Sequence, residues 1–201
     1  MPAPDFPTSP VRKLILVRHS LPEIDPARPA HEWRLSAEGR LRCIGLAEQL
    51  AAHRPQALVS SQEPKALETA AILGERLSLP VEPAAGLHEH ERQNVPFTSR
   101  AEFEAAVRRL FDQPAERVFG DESAEQAARR FETALAPLLA RPVQCLAVVT
   151  HGTVLSLYIA RRCGIDAFSF WQRLSLPMAV TLSLPDFTIL DLLEQTPSET
   201  P

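Results

Sequence analysis

Two short, nearly unbroken apolar runs set the frame for this 201-residue chain: Lys13 to Arg18 (KLILVR) and Cys145 to Thr150 (CLAVVT), each followed at once by a histidine. Runs of that length without polar alternation suit strands covered on both faces, the interior of a parallel sheet flanked by helices. The pattern around them alternates. From Ser36, a predicted N-cap, Ile44, Ala47, Leu50 and Ala51 recur at helical spacing, and Ala57 to Ser60 reads as a second strand. Ala66, Thr69, Ala70 and Leu73 mark a helix to about Leu77, and Leu79 to Pro83 is a short extended piece that Pro83 ends. Ala84 to Thr98 is polar and without period, so an irregular loop is expected. Ser99 with Glu102, and Ser123 with Gln126, are capping-box spacings that open two helices. The first buries Phe103, Val107 and Leu110; the second runs through Phe131 and Leu135 to Pro137, which kinks or shortens it because proline lacks a backbone donor. Gly152 to Arg162 is helical in pattern and closed by Gly164, and Leu176 to Leu184 with Thr188 to Leu193 reads as an antiparallel pair turning at Pro185-Asp186. This order predicts an α/β fold, a three-layer α/β/α sandwich whose sheet is mostly parallel with an antiparallel edge.

The length suits one core, so residues 1–201 are expected to form a single domain, with 1–11 and 196–201 as flexible arms. A net charge of -4 and scattered arginines give no basic field for a nucleic-acid backbone. No apolar run approaches the roughly 18 residues of a membrane span, and the proline-rich start lacks the charged and apolar regions of a signal peptide. Cys43, Cys145 and Cys163 are odd in number and widely spaced, as reduced thiols are. A soluble, cytoplasmic protein with neither nucleic-acid nor membrane partners is expected, and the edge of the last hairpin offers a face for a homodimer.

In such sheets ligands bind beyond the carboxyl ends of the strands. That is where Arg18-His19 and His151-Gly152 fall, so two histidines distant in sequence are expected to face one pocket. A neutral imidazole, with an ordinary pKa of about 6.5, is a good nucleophile near neutral pH and can attack phosphorus directly. A second imidazole, Arg18 and the N–H groups opening the helix after His151 suit the oxygens of a transferring phosphoryl group. His88-x-His90 beside Glu89 and Glu91 has ligand types that suit zinc, but no further spaced histidine or cysteine pair completes a set. Neither a metal nor another cofactor is expected. Trp33, Phe170 and Trp171 read as core or pocket wall, and His31 as a surface residue.

The stretch Leu14 to Ser20, LILVRHS, resembles the signature of the histidine phosphatase superfamily, which includes the phosphoglycerate mutases. The similarity continues through Leu35-Ser36-Ala37-Glu38-Gly39, Ser60-Ser61 to Ala70, Leu87-His88-Glu89, Gly120-Asp121-Glu122-Ser123 and Val148-Val149-Thr150-His151-Gly152, over about residues 13–164 in order. The resemblance implies that His19 carries the phosphoryl group, that Arg18 and His151 bind it with the help of Gly152, and that Glu89 protonates the leaving oxygen, with Glu91 as a rival acid two residues on. Two positions depart from the pattern. Ser20 stands where the family has glycine, so the turn tolerates a Cβ or the hydroxyl serves as another phosphate donor. Lys65 stands where the family has arginine and is either a phosphate ligand or a solvated helix residue; Arg92 is a candidate to compensate. Arg92 and Asn94 are also candidate recognition groups in the loop over the pocket. The implied function is hydrolysis of a small phosphomonoester, with a mutase-type phosphotransferase or a phospho-ligand binding protein as alternatives.

Overall fold

The computed structural model describes residues 11–93 and 95–194. Asn94 and the two arms, apart from Val11, lie outside the described residues. Val11, assigned by sequence to the first arm, is buried, and its N–H donates to the Leu139 carbonyl at 3.3 Å.

One six-stranded sheet forms the middle layer. Its strands are β1 (Lys13–Arg18), β2 (Ala57–Ser61), β3 (Val81–Ala84), β4 (Cys145–Thr150), β5 (Met178–Ser183) and β6 (Ile189–Glu194), in the order β3-β2-β4-β1-β5-β6. The pairs β1/β4, β4/β2 and β2/β3 are parallel, while β5 and β6 continue antiparallel from β1, as the predicted edge requires. Among the described residues six α-helices complete the sandwich: α1 (Ala37–Ala51), α2 (Pro64–Leu77), α3 (Arg100–Asp112), α4 (Ala124–Leu139), α5 (Gly152–Cys163) and α6 (Ala167–Arg173).

Strand alternation divides the core in two, because successive side chains point to opposite faces. Ile15, Val17, Ala147 and Val149 pack with Leu46, Leu50, Ala70 and Leu73 of α1 and α2. Leu14, Leu16, Leu146 and Val148 pack with Phe131 and Leu135 of α4 and Leu155 and Tyr158 of α5. The helix starts follow the expected chemistry. Ser36 Oγ accepts the Gly39 N–H, and Ser99/Glu102 and Ser123/Gln126 form complete capping boxes. Pro137 stands two residues before the end of α4, in its last turn.

Phe131 is fully buried and meets the Tyr158 ring edge-on, centroids 5.6 Å apart. Phe131→Ala is therefore expected to cost about 3–5 kcal/mol of stability, transfer and cavity together, measurable by urea unfolding. A loss below about 1 kcal/mol would mean that α4 and α5 collapse into the gap.

Several strand limits move by a residue or two from the expected ones, and one helix was not expected. The third strand runs through Pro83 to Ala84; β3 is a sheet edge, where a residue without an N–H is tolerated. Helix α6 is absent from the sequence reading. It is only seven residues long, too short to display a helical period, although Asp166 caps it by accepting the Ser169 N–H at 2.8 Å.

Candidate active site

Register brings the two histidines together. Arg18 on β1 pairs with Thr150 on β4, and the His19 N–H donates to the Thr150 carbonyl at 2.9 Å, so both chains leave the sheet at the same level. The His19 and His151 rings lie 5.1 Å apart, and both side chains are buried. His19 Nδ1 is 2.8 Å from the Ser20 carbonyl oxygen. A carbonyl can only accept, so Nδ1 carries the proton and Nε2 keeps the lone pair. Burial first, then the neighbouring His151 and the cations Lys65 and Arg18, hold the His19 pKa well below its ordinary value, so the ring is neutral at physiological pH. His151 is neutral for the same first reason, reinforced by Lys65; its Nε2 lies 2.8 Å from Ser61 Oγ and 3.6 Å from Glu63 Oε1.

Cationic groups surround the pair. Arg18 Nη1 donates to the Leu174 carbonyl at the end of α6, while its Nε is buried without a partner. Burial lowers the Arg18 pKa to about 10, which leaves it charged. Gly152, the first residue of α5, packs against this guanidinium: a Cβ there would stand 3.1 Å from Nε, so a larger residue would push the guanidinium aside by a few tenths of an ångström. Arg92 Nη1 is likewise buried and unpartnered, and its guanidinium carbon sits 4.8 Å from the centre of the Phe103 ring.

Lys65 is buried at 5 % exposure, not a solvated helix residue. Its Nζ donates to the Ala30 carbonyl at 2.8 Å and to the Glu63 carboxylate. Burial lowers its pKa, and Glu63 resists that shift. An ammonium has three donors, so one is left for a ligand. Lys65→Ala is expected to weaken competitive inhibition by inorganic phosphate at least about tenfold, the worth of one hydrogen bond to a charged group. An unchanged inhibition constant would make Lys65 a brace for Glu63 and Ala30 only.

Glu89 is placed with equal care. Its Oε2 accepts the Thr153 N–H at 3.0 Å, and its Oε1 accepts those of Val154 at 3.3 Å and His90 at 2.9 Å, so the carboxylate caps the start of α5. Burial alone would raise its pKa, but Arg92 and these N–H groups outweigh burial and bring it down to about 2. Glu91 points elsewhere. Its carboxylate pairs with His88 Nε2 at 3.0 Å and is 40 % exposed.

One expected donor is corrected. Ser20 Oγ donates to the Gly39 carbonyl at 2.7 Å, and its N–H donates to Thr69 Oγ1 at 3.0 Å, so the hydroxyl proton is committed to α1 and the residue braces the turn. Other site groups escaped the sequence reading. Glu63 and Ser61 contact His151, and Glu63 Oε1 also accepts the Glu89 N–H at 2.9 Å. Their signals were position, at the end of β2 and two residues beyond it, and their place within the family-like stretch from Ser60 to Ala70. His31, read as a surface residue, lines a cavity of about 50 Å³ with Glu63, Lys65, Glu89 and Arg92, and also a larger outer cavity of about 400 Å³. His88 and His90 do not converge on a metal position: His90 Nε2 bonds the Glu122 carbonyl at 2.8 Å while His88 pairs with Glu91.

An α/β/α sandwich that brings two buried histidines to the ends of adjacent parallel strands, ringed by arginine and lysine, defines a class of anion-handling proteins. The sequence model of the histidine phosphatase superfamily (branch 1) matches residues 14–185, and the chain belongs to that family. No curated protein sequence matches it. Among solved structures it is similar to a mycobacterial glucosyl-3-phosphoglycerate phosphatase, at 23% identity over 86% of this chain and 90% of that one, with a TM-score of 0.71. It is also similar to a phosphoserine phosphatase from Entamoeba histolytica solved with 3-phosphoglyceric acid, at 16% identity over 91% and 97% of the two chains, with a TM-score of 0.73.

Proposed function

We propose that this chain is a metal-independent phosphatase that hydrolyses a small phosphomonoester through a phosphohistidine on His19. The observation that carries the reading is the neutral His19 ring, its Nε2 lone pair free, 5.1 Å from a second buried imidazole. Buried, unpartnered guanidinium nitrogens of Arg18 and Arg92 stand by to bind an anion.

Each group then has a role. Arg18, Arg92, Lys65, His151 and the backbone at Gly152 hold the three non-bridging oxygens, where charge spreads in the transition state. His19 Nε2 attacks phosphorus as the P–O ester bond breaks, and the leaving oxygen takes the proton that the entering phosphate monoanion has passed to the Glu89 carboxylate. Water then attacks the phosphohistidine, giving its proton to the Glu89 carboxylate; the P–N bond breaks, and His19 and inorganic phosphate are restored. A pure binder needs neither a nucleophile nor a buried acid. The reduced thiols fit action in the cytoplasm.

The test is inorganic phosphate release in excess chelator from p-nitrophenyl phosphate and a panel of alkyl phosphomonoesters that includes phosphoserine. Chelator-resistant release supports the proposal. A phosphohistidine that forms without releasing phosphate would favour a mutase, and no phosphoenzyme with any ester would favour a binding protein.

A further inference from the structure

Arg130 and Glu122 stand outside the ring of groups around His19, yet their bonds converge on the segment that carries Glu89. Arg130 projects from α4. Its Nη1 donates to the carbonyls of Gly86 (3.0 Å) and His88 (2.9 Å), its Nη2 to the carbonyl of Glu89 (3.0 Å) and to one Glu122 oxygen, and its Nε to the other Glu122 oxygen (3.3 Å). All five donors of the guanidinium are used. Glu122 also accepts the Glu91 N–H at 3.0 Å, and its own carbonyl takes His90 Nε2 at 2.8 Å.

The need for this arrangement is physical. The segment from Gly86 to Glu91 belongs to no helix or strand, so its polar backbone has no regular partners, although Leu87 and His90 within it are buried. Unpaired carbonyls there would be costly, and free to turn they would carry Glu89 with them. Arg130 fixes three of those carbonyls in one rigid plane. The Glu122 and Arg130 side chains are themselves only 9% and 18% exposed, which shields the pair from solvent. Next to it, Gly120 takes a φ of +85° and lies so close to Glu91 that a Cβ would fall 2.3 Å from the Glu91 carbonyl oxygen. Only glycine lets the strip 120–122 lie against the acid loop.

We propose that Arg130, oriented by Glu122, is the positioning residue for Glu89: it fixes the acid's backbone so that the carboxyl group meets the leaving oxygen. This rests on the acid role given to Glu89 above. The experiment is a series of phosphomonoesters running from good leaving groups such as p-nitrophenol to poor ones such as simple alcohols, because only poor ones need a proton as they depart. It is run on the parent protein, Glu89→Gln, Arg130→Lys and the double variant. Arg130→Lys keeps the charge beside Glu122 but loses the fork.

The expected result is that Arg130→Lys lowers kcat for alkyl esters at least about tenfold more than for p-nitrophenyl phosphate, in the same sense as Glu89→Gln. In the Glu89→Gln background it should add less than about twofold, because residues that act as a unit are not additive. An even loss across the series, or a full additional loss in the double variant, overturns the proposal and leaves Arg130 a scaffold residue. If Glu89→Gln itself loses evenly, the acid role falls and takes this inference with it; if Glu89→Gln is selective and Arg130→Lys is not, only this inference falls. Should Arg130→Lys fail to fold by circular dichroism, Glu122→Gln replaces it, since it removes the charge and one of the two oxygens that orient the Arg130 guanidinium while keeping an acceptor for the Glu91 N–H.

Discussion

Replacing His19 with alanine is expected to lower turnover of every phosphomonoester by about 10⁴-fold or more, the scale seen when a nucleophile is removed from a site whose other groups remain. Nothing nearby can take over. His151 Nε2 is engaged with Ser61 at 2.8 Å, and the ring is fully buried. The thiols of Cys43 and Cys145 are buried and their pKa values raised by burial, so neither supplies a thiolate at neutral pH. The fold should survive, because the His19 ring lies at the rim of the core and its one polar bond is to the adjacent Ser20 carbonyl. Binding should survive too, as Arg18, Lys65 and Arg92 stay in place. The expected pattern is therefore lost turnover with phosphate inhibition retained. Two measurements check it: phosphate release in excess chelator, and acid-labile, alkali-stable phosphate on the parent protein that is absent from the variant. Residual turnover within tenfold of the parent would remove His19 from the chemistry.

Much of this site was legible because strand ends are legible. An apolar run that stops at Arg18-His19 and another that stops at His151-Gly152 fix where two imidazoles emerge, and parallel neighbours put them side by side. The helix starts were equally plain, since Ser36, Ser99 and Ser123 write their caps in local spacing. Long-range pairing leaves no such trace. Glu63 sits beside a proline at the start of α2, and only the fold shows it bridging Lys65, His151 and the Glu89 backbone. The Ser20 hydroxyl could not be assigned from its neighbours in sequence, because its acceptor, Gly39, lies on α1. Arg130 is ordinary by pattern, an arginine in an amphipathic helix, until the loop from Gly86 to Glu91 folds over it.

The charge state of Glu89 yields the second large effect. With its pKa near 2, Glu89 is a carboxylate from pH 4 upward and holds no proton for a leaving alcohol. The proton has to arrive with the substrate. A phosphomonoester, whose second pKa is about 6, enters as the monoanion, and the negative charge it brings beside Glu89 raises the carboxyl pKa so that the proton moves onto it. The sign follows. For alkyl esters kcat/KM should be level below about pH 6 and fall tenfold per unit above it as the monoanion disappears. On the acid side no limb is expected near 6.5, because burial and the neighbouring cations keep His19 unprotonated well below that value. Glu89→Gln should cost about 10²- to 10⁴-fold on alkyl esters, cost less on p-nitrophenyl phosphate, and abolish the alkaline limb. Glu91→Gln, whose carboxylate is turned to His88, should leave that limb in place. An alkaline limb that persists in Glu89→Gln and vanishes in Glu91→Gln would move the acid role to Glu91, and with it the assignment of the helix-capping carboxylate as anything more than a cap.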